Sequence, residues 1–220
     1  MPNLTKRTLL LSLMAGAMAS PVLAQRAPVQ PFVSQPKFSA EDQARINRAQ
    51  AYLQSLTIGA GRFQQTDFKG RVTQGDWWLS RPGKIRFEYD APYAMVVVAD
   101  GKRVNMWDPR LKSFDQYPLE LTPLSLFLSK NIRFDQGVII TEVTPTSDGF
   151  RLKARDRRKE VEGSITLTFI EKTKGGPLTL GEWVVTDAQN KATRVKLLSF
   201  STASAPKADL FVLNKPREAK

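Results

Sequence analysis

After Arg62 the chain settles into short runs in which aromatic and β-branched residues alternate with polar ones, and this pattern constrains the fold more than any other feature. Phe63–Thr66, Asp76–Ser80, Lys84–Tyr89, Ala94–Ala99 and Arg103–Trp107 read as strands. So do Gly149–Ala154, Ser164–Phe169, Gly181–Thr186 and Thr193–Phe200. Gly, Asp, Asn and Pro separate them, and Ala99-Asp100-Gly101-Lys102 and Ala188-Gln189-Asn190-Lys191 carry hairpin-turn chemistry. Strands this short and this regularly spaced predict one meandering antiparallel sheet, a mainly β fold with short α segments. No internal repeat and no second domain is evident.

Helical period occurs in two places. Ser39 ahead of Glu41 and Asp42 fits an N-cap with acidic residues at the positive end of the helix dipole. Ile46, Ala49, Leu53 and Leu56 then recur at spacings of three and four, one apolar stripe down about four turns, with Gly59 and Gly61 expected to close the helix. The second place is Leu121–Ser129, where Thr122 is placed as N-cap and Pro123 as first helical residue. Leu124, Phe127 and Leu128 make this segment apolar on nearly every side, so it must be buried on more than one. It is either an ordinary core helix or, being short, a lid; the residues alone leave both readings open.

The N-terminus has the layout of a secretory signal. Lys6 and Arg7 precede an apolar run from Thr8 to Gly16, and Val22-Leu23-Ala24 offers small residues for cleavage after Ala24. The run is too short to span a bilayer, and no later stretch is long and apolar enough. Residues 1–24 are therefore expected to be a signal peptide and the protein to be exported. Pro28, Pro31 and Pro36 mark residues 25–38 as an extended, flexible leader, and 39–220 as the folded domain.

Two absent residue types narrow the chemistry. Without cysteine there is no disulfide, and no cysteine to carry a lipid anchor. Without histidine, Ser-His-Asp and Cys-His catalysis and the usual zinc sites fall away together. The carboxylates are scattered beside basic residues, with no pair set in an aromatic cleft pattern. The expectation is a protein that is not an enzyme, with no catalytic residue, metal or cofactor. The formal net charge is +12. An exported protein rarely meets nucleic acid, so anionic lipid head groups or an acidic partner are the counterparts, unless the charge serves solubility alone. The basic run Arg151–Lys159 leaves the same choice, a docking patch or a solvated hairpin, while Phe150 and Trp183 read as core.

Several blocks taken in order resemble the LolA family, the periplasmic carriers of outer-membrane lipoproteins. Gly61-Arg62-Phe63-Gln64-Gln65 is similar to its early G-x-F-x-Q strand, and the block from Trp78 through Arg81-Pro82 to Phe87-Glu88-Tyr89 to its aromatic hairpin. Val98–Lys102, Trp107–Leu111 and Thr122-Pro123-Leu124 follow in register, then Trp183–Asp187 with Gln189 and Thr193, and Phe211–Pro216 as a closing strand. Asn105 and Met106 depart from bulkier family residues, and the leader is unusually long and proline-rich. The resemblance implies a single antiparallel sheet curved into an unclosed half-barrel, whose apolar concave groove is covered by helices.

It further implies a carrier in the periplasm of a Gram-negative bacterium that takes acylated lipoproteins from an inner-membrane ABC-type release complex and passes them to an outer-membrane acceptor. The acceptor of that pathway is itself a lipoprotein, and the missing cysteine argues against that role here. In the family the arginine of the Arg-Pro pair holds the lid through its backbone, which here is Arg81. Strand alternation puts Trp77, Leu79 and Arg81 on one face and Trp78 and Ser80 on the other. The acyl groove is expected to be lined by Trp77, Leu79, Ile85, Phe87, Tyr89, Met95 and Val97, with Leu124, Phe127 and Leu128 on the lid. A monomer is expected. A carrier or sensor of another periplasmic lipid, and a regulatory module that binds a protein partner, remain as alternatives on the same fold.

Overall fold

The computed structural model describes residues 36–122, 124–134, 136–157 and 163–219. The expected signal peptide, nearly all of the leader, Pro123, and Arg158 and Lys159 lie outside the described residues. Helix α1 spans Ala40–Ser55. The Ser39 hydroxyl accepts from the Asp42 N–H at 3.1 Å, and Arg45 pairs with Asp42 at 2.7 Å, so the first turn is capped and charge-balanced. Ile46, Ala49 and Leu53 bury its apolar stripe.

Eleven strands follow: β1 Ile58–Thr66, β2 Val72–Ser80, β3 Lys84–Tyr89, β4 Val96–Asp100, β5 Arg103–Asp108 and β6 Ser113–Pro118. After a 3-10 turn Leu119–Leu121 and the short helix α2 Leu124–Leu128 come β7 Val138–Thr146, β8 Gly149–Asp156, β9 Ser164–Glu171, β10 Leu178–Thr186 and β11 Ala192–Leu197. They form one antiparallel sheet in the order β6-β5-β4-β3-β2-β1-β11-β10-β9-β8-β7. The first and last strands pair at its centre, and β6 and β7 are its two edges. Neither edge has a second partner among the described residues, so the sheet is open.

Its curvature can be read from one contact. Four strand intervals separate β3 from β10, about 19 Å on a flat sheet at the usual spacing. Yet the rings of Phe87 on β3 and Trp183 on β10 lie 6.2 Å apart. The sheet therefore wraps around the side chains of its inner face and forms a half-barrel. Register places Phe63, Trp77, Leu79, Ile85, Phe87, Leu167, Trp183 and Val185 in one buried cluster that also holds the stripe of α1. The outer face carries its own small cover: the 3-10 turn Ala208–Phe211 packs on β3 and β4, and Arg86 Nη1 donates to the Leu210 carbonyl at 2.9 Å.

Three expectations are corrected. Gly59 and Gly61 lie within β1, where a Cβ on Gly61 would meet the Ser199 carbonyl oxygen at 2.1 Å, so the glycine serves close backbone approach. Phe211–Pro216 is no strand; β11 closes the sheet instead, followed by a single bridge between Ala60 and Ser201. The Thr122 hydroxyl donates back to the Leu119 carbonyl at 2.8 Å, and the Ser125 N–H donates to the Thr122 carbonyl at 3.0 Å. Both edge strands, β6 and β7, escaped the sequence pattern.

Candidate functional site

The inner face of the half-barrel is closed by the connection between its two edges. From Leu119 to Gly137 the chain leaves β6, crosses the mouth and enters β7, with α2 at its middle. Leu128 is fully buried under this cover, and Leu124 and Phe127 are half-buried against the core. Phe127 stacks on Trp183 with ring centroids 6.3 Å apart. Trp183 is core, as expected, but it is also the floor on which the cover rests.

Arg81, just past β2, is half-buried where α1 ends and the cover begins. Its Nη1 donates to the carbonyls of Leu53 and of Leu56, the latter at 2.9 Å, and Nη2 donates to that of Ser129 at 2.7 Å. Burial pulls the guanidinium below its ordinary pKa, and every hydrogen bond described for it goes to a backbone carbonyl. Close by, the Gly83 N–H donates to the Leu128 carbonyl at 2.8 Å. One side chain thus joins the last turn of α1, the Arg-Pro turn and the far end of α2.

Two further positions matter that sequence reasoning missed. Gln54 on α1 accepts from the Ile132 N–H at 2.8 Å and donates to the Lys130 carbonyl at 3.1 Å. Gln50, one turn earlier, accepts from the Phe134 N–H at 2.8 Å. These glutamines at i and i+4 pin the cover's second half to the helix. Their spacing beside the stripe residues Ala49 and Leu53 was the available signal. The helix is fixed in turn to the sheet: Arg48 pairs with Glu171 at 2.7 Å, and the Tyr52 hydroxyl accepts from the Leu180 N–H at 3.0 Å.

The seven residues expected to line the groove, Trp77, Leu79, Ile85, Phe87, Tyr89, Met95 and Val97, are all buried on the inner face and belong to one cluster. Tyr89 keeps its hydroxyl satisfied by donating to Gln65 Oε1 at 2.8 Å, and burial pushes its phenol well above the ordinary value. The open space lies elsewhere. A cavity of about 290 Å³ sits under the cover against the other half of the sheet, walled by Leu53, Phe127, Ile132, Phe134, Ile165 and Leu167. None of the seven borders it in this closed arrangement. At ~30 Å³ per methylene, taking a methylene as water-sized, the cavity holds roughly ten carbons. A full ~16-carbon chain exceeds the volume of this cavity taken alone.

On the outer face Arg151, Lys153 and Arg155 project from β8 at alternate positions, exposed, while Phe150, Leu152 and Ala154 point into the core. Among the described residues no cluster of three or more carboxylate, thiol or imidazole side chains is placed to hold a metal, and no helix is long and apolar enough to cross a membrane.

The fold and site define a half-barrel with a mostly apolar cavity under a hydrogen-bonded cover. The sequence model of the family described as outer membrane lipoprotein carrier protein LolA matches residues 54–214, and the chain belongs to the LolA family. It is similar to the outer-membrane lipoprotein carrier protein of Chromohalobacter salexigens, 40% identical over 78 residues, 33% of this chain and 37% of that one. The carrier protein of Pseudomonas syringae pv. syringae is 34% identical over 145 residues, 61% of this chain and 60% of the relative. That of Xanthomonas campestris pv. campestris is 28% identical over 159 residues, 69% and 75% of the two chains. The match thus spans between about a third and two thirds of the length of the first two relatives.

Proposed function

We propose that this protein is a periplasmic chaperone that receives the acyl chains of lipoproteins released from the inner membrane and delivers them to the outer membrane. The observation that supports it is the cover: apolar side chains seated over an apolar cavity, yet held by hydrogen bonds to one arginine and two glutamines. A cover fastened by polar contacts can lift without losing the fold, and the inner face it then uncovers is mostly apolar. Removing an acyl chain from water is worth about 0.8 kcal/mol per CH₂, so a ~16-carbon chain gains roughly 12 kcal/mol. Capture is easy at that scale, and release is the harder step. Arg81 is the proposed latch. Its bonds form when the cover is down, so closure competes with the bound chain and assists unloading.

The same reading assigns an inner-membrane ABC-type release complex as donor and an outer-membrane acceptor as recipient, with residues 1–24 removed at Ala24 and a non-catalytic, monomeric domain over 39–220. Mass spectrometry of material co-purified from periplasm is the test. Acylated lipoprotein is the expected cargo; free lipid alone would favour a carrier of another lipid, and an unacylated partner would overturn the reading.

A further inference from the structure

A second opening adjoins the cavity under the cover. About 640 Å³ in volume, it lies between α1 and the start of β7, on a floor of Ile46, Phe134 and Ile140. Its lining is polar: Gln43, Asn47 and Gln50 from α1, with Gln43 donating to Asn47 at 3.0 Å, and the exposed residues Arg133 and Arg157 from two different segments. Arg133 and Phe134 border both spaces. An apolar chamber of about ten carbons and a cationic vestibule therefore share one wall, a division that matches a molecule with a tail and a charged head.

Charge elsewhere orients such a molecule. Arg157 continues the exposed row Arg151, Lys153 and Arg155, so the vestibule sits at the end of a line of cations that raises the local potential for anions. Resting on the reading of that chamber as an acyl site, we propose that the mouth binds single-chain anionic amphiphiles. The tail lies in the chamber under the cover, and the phosphate or carboxylate is held by Arg133 and Arg157 in the vestibule. Bidentate, charge-assisted hydrogen bonds from guanidinium suit either head group.

The test compares decyl phosphate, decanoate and uncharged 1-decylglycerol, titrated into the protein at low salt by calorimetry. Both anionic probes are expected to bind about tenfold or more tightly than 1-decylglycerol, the gap closing as salt rises. In Arg133→Gln/Arg157→Gln the gap should close at low salt as well, whereas Arg157→Lys should keep part of it. Binding of 1-decylglycerol by each variant reports that the chamber is intact. Equal affinity for charged and neutral probes, or a preference that survives the double substitution, would overturn the proposal while leaving the acyl chamber standing. Failure of the wild type to bind 1-decylglycerol would remove the chamber reading as well. Glycerol phosphate competing as well as decyl phosphate would show a site for free phosphate and reject the tail assignment.

Discussion

The Phe127 ring lies over the Trp183 indole, centroids 6.3 Å apart and planes 25° from parallel, and Trp183 in turn meets Phe87 from the opposite half of the sheet. Cover and both walls of the half-barrel thus converge on one indole. Replacing Phe127 and Leu124 by Ser removes the cover's apolar grip while leaving every sheet hydrogen bond in place. The expected result is an acyl affinity lower by about tenfold, or ~1.4 kcal/mol, with only a modest fall in melting temperature. Fluorescent-lipid titration beside a thermal melt separates this from a core role, which would cost roughly 2–5 kcal/mol per truncation.

Arg81→Leu takes a charge-assisted partner away from the Leu53, Leu56 and Ser129 carbonyls. Such bonds are worth roughly 1.5–3 kcal/mol, and their loss deepens the open, loaded state relative to the closed one. Loading is expected to stay normal or improve, delivery to fail, and the loaded complex to accumulate and act dominantly over wild type. Arg81→Lys should fall between, since an ammonium keeps the charge but loses the planar fork. A transfer assay scoring the two steps separately decides it; an Arg81→Leu protein that delivers as well as wild type is no unlatched carrier.

Gln50→Ala together with Gln54→Ala should free the Ile132 and Phe134 amides that those side chains accept from. Hydrogen exchange at these two amides is expected to accelerate about tenfold or more, with β-strand amides unchanged. Uniform acceleration across the sheet would mean that the glutamines hold the fold rather than the cover.

Acid should weaken the protein through specific carboxylates. Burial pushes the Asp67 carboxyl up, but the N–H groups of Arg71 and Lys69 and the Arg71 guanidinium pull it further down, and Asp100, Asp90 and Glu171 also lie below the ordinary range. A carboxyl whose folded-state value is depressed stabilises the fold fully above its unfolded value of about 4, and that contribution is lost as pH falls through the folded value. Denaturation midpoints should therefore be flat from neutral pH to about 5 and drop below about 4. Asp67→Asn, which keeps an acceptor at that turn but removes the charge, should lower the plateau and make the acid limb shallower.

What could be read from the sequence follows which groups carry identity. Lys84–Tyr89 was legible because one face is buried, so Ile85, Phe87 and Tyr89 alternate with polar neighbours. The edge strand β6 has no buried face to imprint that alternation, and β7 opens with three consecutive buried residues and carries Pro145 near its end. Gly61 was misread because a close approach by the Ser199 backbone, far away in sequence, cannot be seen locally. The cover's fastenings were hardest. Arg81 stood out only through resemblance, and Gln50 and Gln54 bind N–H and C=O groups that every residue owns. Which half of the sheet is left unfilled depends on the volume enclosed by curvature, which no pattern along the chain records.

Because the stretch from Leu119 to Gly137 runs from one rim strand to the other, it is a drawbridge hinged on both banks. Such a span does not swing free from one end, and its banks, β6 and β7, share no strand pairing among the described residues. Gape and lift are free to move together. Any opening that parts the banks strains the curved wall that brings Phe87 to Trp183, and its recoil then adds to the closure of the Arg81 contacts.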